Sequence, residues 1–251
     1  MALIQKMWAA FLNAVFPPIC IACGKRGESP LCGQCLEEIK INNSFFCPEC
    51  NGRLPEAKNV CHPKAKFVLA AAAHYGNKSV RELVHALKYG RVMAAIEPIG
   101  GIIGRYSKKF LKNNLGKIKG AVVIPVPLHF SKKRSRGFNQ AELIAEALRQ
   151  CLEVRSLNID VNVGEVGLLQ IENGNLVRIK NTKSQTKMKD TEERERNVSG
   201  AFSLKRPEEI SGKNIVLVDD VFTSGATMRE AVRVLKEAGA RKIIGFVIAK
   251  A

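Results

Sequence analysis

The chain has 251 residues, 46% of them apolar, and its 40 Lys and Arg against 23 Asp and Glu give a net charge of +17. This composition excludes a disordered chain and leaves room for one large domain or two smaller ones. The cationic excess favours polyanionic partners such as nucleic acid, anionic lipid or phosphorylated substrates, although a solvated basic surface would give the same count.

Residues 1–18, "MALIQKMWAAFLNAVFPP", carry one Lys and a modest apolar run, but no small-residue cleavage site before Pro17 and Pro18. They read as a short amphipathic helix packed on the body, with membrane-surface contact as the alternative. No apolar stretch reaches the ~20 residues a spanning helix needs, so no membrane-spanning segment is expected and the location is expected to be cytoplasmic.

Seven of the eight cysteines fall between Cys20 and Cys61, which sets off a cysteine-rich region over residues 19–65 from a second region over residues 66–251. The spacing is Cys20-x2-Cys23, Cys32-x2-Cys35 and Cys47-x2-Cys50, followed by Cys61. A C-x2-C knuckle places two thiolates on one tight turn, and two such turns complete a tetrahedral zinc shell. Disulfides are the competing account, and the missing export signal argues for zinc. The simplest grouping joins Cys20, Cys23, Cys32 and Cys35 and leaves Cys47, Cys50 and Cys61 as an incomplete second site. His62 could be its fourth ligand, or the site could be vacant, because Lys64 stands where another knuckle would finish. A cross-braced arrangement satisfies the same spacing. Zinc here either staples a segment too small for its own core or shapes a binding surface.

From residue 66 onward, strand-like and helix-like segments alternate. "FVLAAAAHY" reads as a strand, although its alanines would also suit a helix; "SVRELVHALKYG" has helical periodicity and stops at Gly90. "GAVVIPVPL" reads as a buried strand, then a basic loop, then the helix "NQAELIAEALRQCL". A hairpin is expected around turn signals at Glu172 to Asn175. "NIVLVDD" is another buried strand, followed by a helix from about Ala226 to Ala238 and a closing strand "KIIGFVIA". Continuous apolar strands alternating with helices predict an α/β fold built on a mostly parallel sheet with flanking helices, with ligands at the carboxyl ends of the strands.

The stretch "VLVDDVFTSGATM" concentrates the chemistry. Thr223, Ser224, Gly225, Ala226 and Thr227 lie between a strand end and a helix start, where outward amides, the helix dipole and hydroxyls make a phosphate receptor. It is no Walker A loop, because no G-x4-G-K-[ST] is present. Asp219 and Asp220, expected one or two residues past the strand, could accept from ribose hydroxyls or help hold a hydrated magnesium ion. After the earlier strand, Lys132, Lys133, Arg134 and Arg136 with Gly137 offer a diphosphate receptor. "KNTKSQTKMKDTEERERNVSGAF" is polar and mixed in charge and is expected to be mobile. Lys88, Tyr89 and Arg91, together with Arg105, Lys108, Lys109, Lys112 and Lys117, could serve single-stranded nucleic acid or be solvated cations. Gly100, Gly101 and Gly104 read as close helix packing and Cys151 as core.

"VLVDDVFTSGATM" resembles the phosphoribosyl pyrophosphate (PRPP) motif of type I phosphoribosyltransferases. With the cysteine knuckles, "ALKYGR", "IPVPLHFSKKRSRGFNQAELIA" and "SQTKMKDTEERERNVSGAF", the chain is similar over nearly its full length to the ComF family, the ComFC/GntX-type proteins of bacterial competence. The resemblance implies a type I phosphoribosyltransferase-like sheet preceded by a small zinc-ribbon-like domain. It implies that Asp219 and Asp220 contact ribose, that residues 223–227 hold the 5-phosphate, and that Gln185, Arg194, Arg196 and Asn197 belong to a lid over Mg-PRPP. It further implies a role in DNA uptake during natural transformation, with single-stranded DNA and a competence helicase-like ATPase as partners. Three departures stand out: Lys64 replaces an expected zinc ligand, residues 157–175 exceed the usual length, and Lys180 stands where Arg is common. An active phosphoribosyltransferase on a small-molecule acceptor, with no part in DNA uptake, is the alternative.

Overall fold

The computed structural model describes residues 17–54, 61–89, 93–110, 114, 120–152, 169–182 and 191–251. The expected N-terminal helix, all but its two prolines, lies outside them. Eight strands are described: β1 (Phe45–Phe46), β2 (Val68–His74), β3 (Val122–Pro125), β4 (Gln170–Ile171), β5 (Leu176–Arg178), β6 (Phe202–Leu204), β7 (Asn214–Phe222) and β8 (Lys242–Lys250). Six form one sheet in the order β1-β2-β8-β7-β3-β4, parallel throughout except for the antiparallel edge strand β1.

Both faces of this sheet are covered, which is why its strands read as unbroken apolar runs. Alternation survives only as a choice between two interiors. Val216, Val218, Ile244 and Phe246 join the cluster under the helices Lys78–Lys88, Ile96–Lys109 and Gln140–Leu152. Ile215, Leu217, Ile243 and Val247 join the other, under the helix Ala226–Glu237. The alanine run of β2 resolves as strand because Leu69 to Ala73 are fully buried between β1 and β8, where tertiary context overrides propensity.

The cysteine-rich region builds no core of its own. Cys20, Leu31, Cys35, Ile39, Phe45 and Cys47 belong to the first cluster, and Phe45 meets Phe110 edge-on with ring centroids 4.8 Å apart. Arg105 donates to the carbonyls of Leu36 and Glu37, and Lys109 to that of Ile41, so two of the candidate nucleic-acid cations tie the region down. Lys112 and Lys117 lie outside the described residues. A Cβ at Gly101 would come within 2.8 Å of Leu36 Cδ2, so the expected close packing at this glycine holds.

Three expectations are corrected. Residues 172–175 make no hairpin: β4 pairs with β3 in the large sheet, whereas β5 pairs with β6 in a separate two-stranded sheet. The fully buried Asn175 causes the split, because its side chain bonds the Arg206 carbonyl and amide at 2.8 Å each and turns the chain away. Residues 157–168 of that expected hairpin lie outside the described residues. The basic segment after β3 is a short helix, Phe130–Arg136, started by His129 accepting from the Ser131 amide and closed by Gly137 at φ 88°. Within the expected mobile segment, Thr191–Val198 is a helix, anchored by the buried Val198 and a 3.1 Å ion pair between Glu195 and Arg229.

Candidate functional site

Because β8 runs alongside it to Phe222, β7 continues past the point where its apolar lead-in ends. Asp219 and Asp220 therefore lie inside the strand rather than beyond it. The backbone fixes both carboxylates: Asp219 Oδ1 accepts from the Asp220 amide at 2.8 Å, and Asp220 Oδ1 from the Val221 amide at 2.6 Å. Lys88, the last residue of the helix Lys78–Lys88, places Nζ 2.8 Å from Asp220 Oδ1. Burial works against the Lys88 charge, but the carboxylates outweigh it and hold the ammonium above its usual range. Burial, followed by the Asp220 charge, pushes Asp219 up to about 7.

The pair lines a cavity of about 290 Å³. Thr223, Gly225 and Thr227 also line it, as do Lys88, Tyr89, Lys132, Arg136, Gln140, Arg178 and Arg194. Ser224 and Ala226 do not: the Ser224 hydroxyl faces the Ala226 amide at 3.5 Å, and Ala226 packs in the core. Gly225, at φ 78°, makes the turn into the helix Ala226–Glu237, and a Cβ there would fall 2.3 Å from Phe222 Cζ. Gln185 lies outside the described residues.

Of the four cations expected after β3, only Lys132 and Arg136 reach the cavity; Lys133 pairs with Glu142 at 2.7 Å instead. Arg136 is held by Gln140 Oε1 at 2.6 Å and sits 5.7 Å from the Tyr89 ring centroid. Lys132 donates to the Thr182 carbonyl at 2.7 Å, and Arg178 to the Thr182 hydroxyl at 2.6 Å. Burial, then repulsion from Arg178 and Arg136, holds the Lys132 ammonium below its usual range. These cations are assembled without enough negative charge among them, as an anion receptor requires.

Arg178, Gln140 and Thr182 were not singled out from the sequence. Gln140 stands in the quoted "FNQAELIA", which was the only available signal for it. Lys88 and Tyr89, nucleic-acid candidates by sequence, place their side chains in this cavity. Arg91 lies outside the described residues. Arg196 lines a separate cavity next to the helix Ala226–Glu237.

Two further groups gather in the cysteine-rich region: Cys20, Cys23, Cys32 and Cys35, and Cys47, Cys50, Cys61 and His62, with the ligand atoms of each group within 4.8 Å of one another. Bonds of ~2.3 Å to a tetrahedral zinc place sulfurs ~3.8 Å apart, and a sulfur and an imidazole nitrogen ~3.5 Å apart. Cys23 and Cys32 Sγ are 3.8 Å apart, Cys50 and Cys61 Sγ 3.5 Å, and Cys47 Sγ and His62 Nδ1 3.5 Å. Both groups fit zinc. His62 takes the fourth position of the second, and Lys64 stays exposed.

Comparison with known proteins finds one family match in each half of the chain. The Phosphoribosyl transferase domain family matches residues 174–251, and the Double zinc ribbon domain family matches residues 11–66. Competence protein F of Haemophilus influenzae (strain ATCC 51907 / DSM 11121 / KW20 / Rd) is 26% identical over 235 residues, covering 93% of this chain and 90% of the relative. Competence protein ComFC of Bacillus subtilis (strain 168) is 28% identical over 222 residues, with 84% and 80% covered. DNA utilization protein YhgH of Escherichia coli (strain K12) is 24% identical over 235 residues, with 90% and 94% covered. Over most of its length the chain is similar to proteins of the ComF family.

The chain has the expected architecture: a mostly parallel phosphoribosyltransferase-like α/β sheet with a zinc-ribbon-like region before it. Among the described residues, no helix is long and apolar enough to cross a membrane.

Proposed function

We propose that this protein binds Mg-PRPP in the cavity at the carboxyl ends of β3 and β7, and that it serves DNA uptake through contacts with single-stranded DNA. The observation that carries the first part is the meeting, in one cavity, of the adjacent carboxylates of Asp219 and Asp220, a helix-terminal loop and the cations Lys132, Arg136, Arg178 and Arg194.

In this reading the two ribose hydroxyls donate to Asp219 and Asp220. The amides at the start of the helix Ala226–Glu237, with the hydroxyls of Thr223 and Thr227, donate to the 5-phosphate, aided by the helix dipole. The four cations receive the diphosphate; Gln140 Nε2, a buried donor with no partner among the described residues, adds support for a polar ligand. The carboxylate oxygens also suit a hard cation, and bound magnesium would neutralise the diphosphate as it departs. Transfer would break the bond between ribose C1 and diphosphate and form one from C1 to the acceptor. Asp219, Asp220, Gln185 and Arg194 are the residues proposed to orient the reacting sugar and shield it from water.

The second part draws on the printed names of the relatives, two competence proteins and a DNA utilization protein, and on the +17 charge. A helicase-like ATPase is the proposed partner. Calorimetric titration with Mg-PRPP tests the site: saturable binding is expected, and it should be lost in the Asp219→Asn, Asp220→Asn double variant. That variant should keep its affinity for a single-stranded oligonucleotide, which should weaken with rising salt. A folded, zinc-replete wild type that binds no Mg-PRPP would remove the phosphoribosyl reading. A salt-insensitive or absent DNA affinity would leave the alternative, an enzyme acting on a small-molecule acceptor.

A further inference from the structure

The Arg229 guanidinium, in the helix Ala226–Glu237, joins three segments that are remote in sequence. Its Nη1 donates to the Pro48 carbonyl at 2.9 Å, inside the knuckle formed by Cys47 and Cys50. Its Nη2 donates to the Ser224 carbonyl and, at 3.1 Å, to Glu195 Oε1 on the helix Thr191–Val198. Glu195 follows Arg194, which lines the cavity. A guanidinium is a rigid planar fork, so all three acceptors are satisfied only while knuckle, loop and helix keep one relative placement. There is little slack, because a Cβ at Gly225 would lie 2.8 Å from Arg229 Nη1.

We infer that Arg229 is a positioning residue that couples metal binding at Cys47, Cys50, Cys61 and His62 to anion binding at residues 223–227. The inference rests on the readings of those residues as a zinc site and a phosphate loop. A metal ion on the knuckle fixes the Pro48 carbonyl, which fixes the guanidinium, which in turn holds the Ser224 carbonyl so that the following amides face the cavity. Without the metal, the knuckle loosens and the loop amides lose that order. The coupling is reciprocal: an anion in the loop tightens metal binding by the same factor.

Four full-length proteins test it: wild type, Cys50→Ser, Arg229→Gln and the double variant. Three quantities are measured on each: zinc per chain, Mg-PRPP affinity, and deuterium exchange at the amides of residues 223–228. Cys50→Ser should lose the metal of the second group, weaken Mg-PRPP about tenfold and speed loop exchange. Arg229→Gln should do the same to affinity and exchange while keeping its zinc. The double variant should be no worse than the poorer single, a non-additivity that mere loss of stability would not produce. Losses that multiply in the double, or wild-type affinity and loop exchange in Cys50→Ser, would overturn the coupling. His62→Ala replaces Cys50→Ser if that protein fails to fold. If wild type binds no Mg-PRPP, the phosphoribosyl reading falls, and loop exchange alone decides the coupling: unchanged exchange in both singles overturns it.

Discussion

Lys88 Nζ lies 2.8 Å from Asp220 Oδ1 and ties the end of the helix Lys78–Lys88 to the acid pair of β7. Two adjacent carboxylates at the end of a buried strand would repel each other, and this ammonium makes their juxtaposition tolerable. Lys88→Met should therefore cost about 1–3 kcal/mol, since removing one partner of a largely desolvated pair leaves the other charge uncompensated. Urea unfolding measures it, and a loss below ~0.5 kcal/mol would mean that the pair is screened like a surface one.

Asp219 gives the stability a definite pH dependence. With its folded value raised to about 7 by burial and by Asp220, the folded state keeps a proton that the unfolded chain releases near pH ~4. That contribution is complete below pH ~4 and is lost as pH rises to about 7. Asp219→Asn should flatten the slope of stability against pH across this window. If the proposed site takes Mg-PRPP through the ionised Asp219 carboxylate, affinity should move the opposite way and rise through the same window. An unchanged slope in the variant would show that another group is responsible.

Zinc should bind at two ions per chain, one for each four-residue group. Elemental analysis of Cys23→Ser and of Cys61→Ser should each return one. Because Cys20, Cys35 and Cys47 belong to the first apolar cluster, chelation should lower the melting temperature of the whole chain, not of a detached module.

Gly225→Ala should damage the loop over residues 223–227 twice over, through a positive φ of 78° and through a Cβ set 2.3 Å from Phe222 Cζ. A stability loss of about 1–3 kcal/mol is expected, with Mg-PRPP affinity falling more steeply than that of a stability-matched core variant. Equal affinity losses in the two would reduce Gly225 to a packing residue.

The long buried strands and the helices Lys78–Lys88, Gln140–Leu152 and Ala226–Glu237 were legible because each such strand is a continuous apolar run and each of these helices shows its own period, whereas Phe130–Arg136 and Thr191–Val198 did not read as helices. The loop over residues 223–227, proposed to hold phosphate, was legible as a strand-to-helix turn because its residue types are dictated locally: a strand end, a glycine and a helix start. The knuckles were legible for the same reason, each being one tight turn. Asn175 shows where local reading stops. Turn signals around it promise a hairpin, but its side chain bonds Arg206, far along the chain, and the two strands go to different sheets.

By itself, the sequence determined whatever depends on neighbours within a turn or a helical period: the long buried strands, the periodic helices, the two acids, the small-residue loop and the paired thiols. Tertiary structure alone decided which remote groups meet. It gave Lys88 to Asp220, selected Lys132 and Arg136 from four adjacent cations, brought in Arg178, and made His62 the fourth member of its group. Such pairings depend on how sheet order and helix packing fold distant segments together, and no spacing along the chain encodes those distances.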